Sequence, residues 1–276
     1  MSVKSDLTEF LDQQRGIVRS STGGWFPGKG VFSHGYSMMD ELVGEKSYFQ
    51  VLILNATGKI VDKAIADWVE AIYICLSWPD PRIWCNQIGA LGGTVQTSVV
   101  AATVAGTLAS DSRTYGVRPL IDGVEFIQGA MLQKHEGFCV SSIVESECAK
   151  HGGKPYIVGY ARPIAKGDER LEAMERVSES LGFSEGEHLR LAYAIEEELR
   201  DRFDEGMNIN GYMSAFLSDQ GFSAQEVYQM FALLVMSGVT ACYLDTLNRP
   251  SGAFLPQRCS DIDYQGKAPR VVPDPE

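Results

Sequence analysis

The groups that chemistry needs concentrate in one stretch of this sequence, Gly159-Tyr160-Ala161-Arg162-Pro163-Ile164-Ala165-Lys166-Gly167-Asp168-Glu169-Arg170. Arg162, Lys166 and Arg170 fall together in a Gly/Pro-punctuated loop that runs into the start of a helical pattern. Such an arrangement suits an anionic ligand: arginine offers a two-pronged fork to carboxylate or phosphate, and a helix N-terminus adds exposed N–H groups. The same residues also fit a helix-capping loop with solvated charges, so the loop by itself leaves both readings open. The four histidines (His34, His135, His151, His188) are scattered. His135 and Glu136 close a helical segment and form an acid/base candidate, with a solvated helix end as the plainer reading. No Walker loop, G-x-G-x-x-G, G-x-S-x-G or H-E-x-x-H occurs. The six cysteines have no C-x-x-C pair and no histidine at zinc-ligand spacing, so no metal site is expected and buried thiols are.

The elements that must carry these residues are helical. Residues 20–35 read as a Gly- and aromatic-rich, irregular or short-stranded segment. Beyond it, Asp62–Leu76 places Ala66, Val69, Ile72, Tyr73 and Leu76 on one face, and Pro79 and Pro81 break the chain. Thr94–Ala109 is small and apolar nearly all round and predicts a buried helix. Asp122–Lys134, Ser141–Lys150, Asp168–Leu181, Glu185–Phe203 and Asn208–Asp219 are further helices, with Ser184 to Glu187 as a capping pattern for the fourth. Ser223–Leu247 reads as one long apolar helix capped by Ser223 and Glu226. The fold class is all-α.

Charge and composition bound the partners. With 24 basic and 36 acidic residues the formal charge is 24 − 36 = −12, which argues against nucleic acid or an anionic membrane. The apolar run 227–244 reads as a core helix, since no basic flank supports insertion, and the N-terminus has no apolar secretory core. A cytoplasmic protein is expected.

Five segments in register carry a family resemblance. Gly30 to Leu42 (GVFSHGYSMMDEL) is similar to an R-G-Y opening followed by a leucine-bearing acidic helix, and Ser47 to Gly58 to the stretch after it. Gly159 to Arg170 resembles a G-F-G-H…K…D-P-R loop, Met207 to Ser214 an N-V-D-F-Y-S run, and Asn248-Arg249-Pro250…Tyr264-Gln265-Gly266 a closing R-P…Y-x-G. The family is the citrate synthase superfamily, in particular its short, citryl-CoA lyase-like members. The resemblance implies a two-domain helical homodimer, with a large domain from residues 1–116 and 216–276 and a small domain at 117–215 carrying the ligand loop. It also implies chemistry that makes or breaks a C–C bond on an acyl-CoA with a carboxylate-bearing partner. CoA thioester would be substrate, with no tightly held cofactor.

At the catalytic positions the chain departs from that pattern. Tyr115, Arg162 and Asn210 stand where the family has histidine, histidine and aspartate, and Asn210 cannot act as a carboxylate base. The resemblance leaves Tyr115 and Arg162 as oxyanion donors, Asn210 to orient substrate, and Arg170, Lys166 and Arg249 as anion grips. Glu136 or Asp245 would have to supply a base. Loss of the base also leaves a non-catalytic relative, acting as a binding or partner subunit, as the competing reading.

Overall fold

The computed structural model describes residues 3–16, 18–161, 167–254 and 257–272. In chain order its elements are α1 (Val3–Gln14), β1 (Gly23–Phe26), β2 (Gly30–Ser33), β3 (Tyr36–Ser37), a π-type turn (Met38–Leu42), α2 (Tyr48–Thr57), α3 (Lys63–Leu76), α4 (Trp84–Thr94), α5 (Val99–Ser110), β4 (Asp111–Ser112), β5 (Tyr115–Gly116), α6 (Pro119–His135), α7 (Val140–Lys150), α8 (Glu169–Ser180), α9 (Glu187–Phe203), α10 (Ile209–Asp219), α11 (Ala224–Met230) and α12 (Met236–Leu247). Sheet is confined to the β1-β2-β3 meander and the β4-β5 hairpin among the described residues. The all-α reading therefore holds, and the aromatic segment near the N-terminus is short-stranded as expected.

Two compact units form: Met1–Trp78 with Ser110–Leu234, and Pro79–Ala109 with Val235–Glu276. These divisions run elsewhere than the 117–215 domain that the family resemblance implies.

The first unit is built around Trp68. The amphipathic face of α3 buries Ala66, Val69 and Ile72, and Trp68 is fully enclosed beside them. Its ring stacks on Phe216 of α10 at 4.0 Å, and its Nε1 donates to Ser178 Oγ of α8 at 2.9 Å. Ser178 is in turn hydrogen-bonded to the Tyr212 hydroxyl of α10 at 2.9 Å. One indole thus joins three helices through a stack and a satisfied donor.

In the second unit α4 and α12 pack with almost no space between backbones. A Cβ on Gly89 would lie 2.5 Å from the Val239 carbonyl oxygen, so only glycine admits this approach. Helix α4 follows Pro79 and Pro81 directly, where the sequence predicts only a break.

Three expectations are corrected. The apolar segment 223–247 is two helices, because Phe231 leaves helical geometry at φ −103 and ψ 11. Tyr73 of α3 donates its hydroxyl to the Met230 carbonyl at 2.6 Å, and Leu234 N–H turns to the Phe231 carbonyl instead. Burial pushes the Tyr73 phenol well above its ordinary range. Segment 94–109 is not buried all round: Ala102 and Gly106 face inward, while Val100, Val104 and Leu108 are exposed. The cap of α9 is not Ser184; the Asp219 carboxylate accepts from His188 N and Leu189 N at 2.9 and 3.0 Å. Among the described residues no helix is long and apolar enough to cross a membrane.

Replacing Trp68 by Ala removes the stack and leaves a cavity, so the cost should be about 3–5 kcal/mol. Equilibrium denaturation checks this, and a loss below about 1 kcal/mol would contradict the role given to the indole.

Candidate functional site

Both stems of the loop 159–170 are tied to the start of α10. On the near side, Asn208 N donates to the Gly159 carbonyl at 2.9 Å and Ala161 N to the Gly206 carbonyl at 2.8 Å. Tyr160 and Met207 thereby form an antiparallel bridge, and Asn208 Nδ2 donates to the Ala161 carbonyl at 2.7 Å. These bonds hold Ala161 in the left-handed region at φ 69, a strained setting for a residue with a Cβ. Gly159, at φ +94, has no room for a side chain: a Cβ would sit 2.7 Å from Gly211 Cα. Tyr160 is buried and donates its hydroxyl to the Ala192 carbonyl at 3.0 Å, and burial pushes its phenol far above the ordinary range.

Asp168 holds the far side. Its carboxylate accepts from Arg170 Nε and Nη2, each at 2.7 Å, from Arg170 N at 3.2 Å, and from Ile209 N at 2.9 Å. The side chain is fully enclosed. Burial pushes the carboxyl upward, but the guanidinium and the two backbone donors outweigh it and hold Asp168 below the usual carboxylate range. With Asn208 Oδ1 accepting from Asn210 N and Gly211 N, the first N–H groups of α10 are all satisfied within the chain. Arg170 keeps three of its five N–H donors beyond those given to Asp168, and its side chain is one-fifth exposed. Arg162 and Lys166 lie outside the described residues.

Asn210 is spent inside the fold. Its Nδ2 donates to the Pro119 carbonyl at 3.0 Å, and its Oδ1 accepts from Ser214 Oγ at 2.9 Å. Those bonds lock α10 to the first turn of α6, four residues beyond Tyr115. Tyr115 lies in β5 opposite Ser112, whose hydroxyl donates to the Tyr115 carbonyl at 3.0 Å; the ring is 37% exposed. The structure therefore joins Arg170, Asn210, the loop stems and the Tyr115 hairpin in one continuous network.

Of the two carboxylates named as substitute bases, Glu136 does not join it. Glu136 caps the far end of α6, 17 residues beyond Pro119, which puts it about 26 Å along the axis from the Asn210 contact. Its neighbour His135 is exposed, with Nε2 3.9 Å from Glu187. Asp245 and Arg249 belong to the second unit and pair with each other at 2.6 Å, both largely exposed. Three further residues, Asp168, Asn208 and Tyr228, matter to the site and escape a reading of the sequence. Asp168 sits two residues before Arg170, a spacing that fits a local clamp, but its bond to Ile209 spans 41 residues. Among the described residues, no three His, Cys, Asp or Glu side chains form a group able to hold a metal.

No protein-family model matches the chain, and no curated protein matches it by sequence. Solved structures do match. Citryl-CoA lyase from Hydrogenobacter thermophilus superposes with a TM-score of 0.76 at 22% identity, over 93% of this chain and 98% of that one. ATP citrate lyase from Methanothrix soehngenii, in complex with citrate and coenzyme A, superposes with 0.73 at 17% identity, over 97% of this chain but only 45% of its own length. Citrate synthase from the archaeon Thermoplasma acidophilum, with carboxymethyl coenzyme A and oxaloacetate, gives 0.55 at 14% identity, over 82% of this chain and 59% of that one. The chain thus has the fold that citryl-CoA lyase, ATP citrate lyase and citrate synthase share. Its size and course are those of the citryl-CoA lyase form.

Because Asp168 titrates lower when folded than when unfolded, its stabilisation is present above about pH 4 and is lost as pH falls through the folded value. Asp168→Asn should cost about 3–5 kcal/mol at pH 7, since it strands the Arg170 charge, and the gap to wild type should narrow below pH 4. Urea denaturation from pH 3 to 7 reads both; a gap independent of pH would contradict the assignment.

Proposed function

We propose that this chain binds a coenzyme A thioester together with a carboxylate-bearing partner and makes or breaks the C–C bond between them. The observation that carries this reading is the clamped loop: Arg170 is oriented by an enclosed carboxylate, at the position where the superfamily resemblance places a substrate-gripping arginine. Agreement over 98% of citryl-CoA lyase, and the citrate and coenzyme A in the complex of ATP citrate lyase, of which this chain spans 45%, support it further. In this reading Tyr115 and Arg162 donate to the thioester oxygen as negative charge develops, Arg170 and Arg249 take carboxylates, and Lys166 faces the CoA. Residues 117–215 act as the ligand-carrying domain.

A second reading, a non-catalytic binding or partner subunit, is favoured by one specific finding. The Asn210 carboxamide bonds entirely within the chain, where the reaction needs a base. Wild-type protein should exchange deuterium at the α-carbon of an acyl-CoA, or release CoA from a citryl-type thioester, and Tyr115→Phe should slow this about 10²-fold. Tight CoA binding with neither exchange nor cleavage would establish the second reading. No binding to any CoA ester would reject both.

The resemblance also implies a homodimer, and α5 offers a face for it. Val100, Val104 and Leu108 form an exposed apolar stripe on a helix with no charged residue. A second copy covering this stripe would remove it from water. Sedimentation should show a dimer for the wild type and a shift toward monomer for Leu108→Lys; a dimer indifferent to that change would place the interface elsewhere.

A further inference from the structure

The hairpin that carries Tyr115 holds two arginines the sequence reading passed over. Arg113 lies in its turn and Arg118 at the N-cap of α6, and both are exposed. Arg15, Arg82, Arg170, Arg176, Arg200, Arg202 and Arg249 each have a carboxylate partner within 4.0 Å. Among the described residues Arg113 and Arg118 have none, and neither do Arg19, Arg190, Arg258 and Arg270, but only Arg113 and Arg118 flank the hairpin of Tyr115. The nearby carboxylate, Asp111, accepts the Tyr228 hydroxyl of α11 at 2.9 Å. Arg118 instead lies over the Tyr228 ring, its Cζ 6.0 Å from the centroid. A guanidinium on an aromatic face keeps its charge and its N–H fork while losing rotamer freedom, so less ordering is needed when an anion arrives.

The anchoring has a direction. Asp111 opposes Gly116 and Ser112 opposes Tyr115 in the hairpin, so the Asp111 and Tyr115 side chains leave opposite faces. Tyr228 grips the first face and leaves the second, with Tyr115, unobstructed by that contact. One residue after Arg118, the Pro119 carbonyl receives Asn210 Nδ2. Arg118 therefore stands at the junction of hairpin, α6 and α10.

We propose that Arg118, held on the ring of Tyr228, is an oxyanion-binding residue that fixes one anionic end of the substrate at this junction, with Arg113 adding charge at the rim. The inference rests on the thioester reading of the same site. The oxyanion is either a carboxylate of the acid partner or a phosphate of the CoA, and titration separates them. Calorimetry with CoA, dephospho-CoA and citrate, on wild type, Arg118→Gln and Arg118→Lys, is the test, with thermal midpoints confirming that each variant is folded. Arg118→Gln should weaken one anion about tenfold to a hundredfold and leave the other within twofold, with Arg118→Lys between it and wild type. A loss for CoA but not for dephospho-CoA identifies the 3′-phosphate; a loss for citrate identifies the carboxylate. Wild-type binding that Arg118→Gln leaves unchanged for all three ligands overturns this inference alone. A wild type that binds none of the three overturns both it and the thioester reading.

Discussion

The site depends on one enclosed carboxylate. Among the described residues Asp168 accepts four hydrogen bonds, two from a guanidinium and two from backbone amides, and together they do three structural tasks. The bond from Arg170 N starts α8, the fork from the guanidinium aims Arg170, and the bond from Ile209 N fixes α10 beside the loop. A buried charge is tolerable only when its donors are complete, so these three placements stand or fall together. Because the same α10 turn is locked through Asn210 to α6, the position of the Tyr115 hairpin is linked to that carboxylate as well.

Two arginines are held in place, Arg170 by the Asp168 carboxylate and Arg118 on the ring of Tyr228. The proton-transferring part is not where the resemblance would have it. An asparagine that donates to a backbone carbonyl and accepts from a serine hydroxyl is a strut, and Glu136 is a helix length away.

What the sequence made legible was local. The Ser223–Glu226 capping box, the amphipathic face of α3 and the cations of the 159–170 loop all express themselves within a few residues. What it concealed was set by partners far along the chain. The apolar segment 223–247 breaks because Tyr73, 157 residues away, takes the Met230 carbonyl. Helix α9 is capped by Asp219, 31 residues on, although a plausible local cap precedes it. The exposed stripe on α5 was hidden for a different reason. Its residues are all small or apolar, so no polarity change marks which side faces water. At Asn210, residue type showed only that no carboxylate stands there, while its hydrogen bonds showed that the side chain ties α10 to α6.

The central claim is that Arg170, held by Asp168, and the hairpin of Tyr115 receive the anionic thioester. Amide hydrogen exchange on the full-length protein with and without CoA measures this directly. The account predicts that CoA slows exchange in two segments above all, 159–170 and 111–118, and that Arg170→Gln reduces that protection. CoA-induced protection confined to other segments, with these two unchanged, would contradict it.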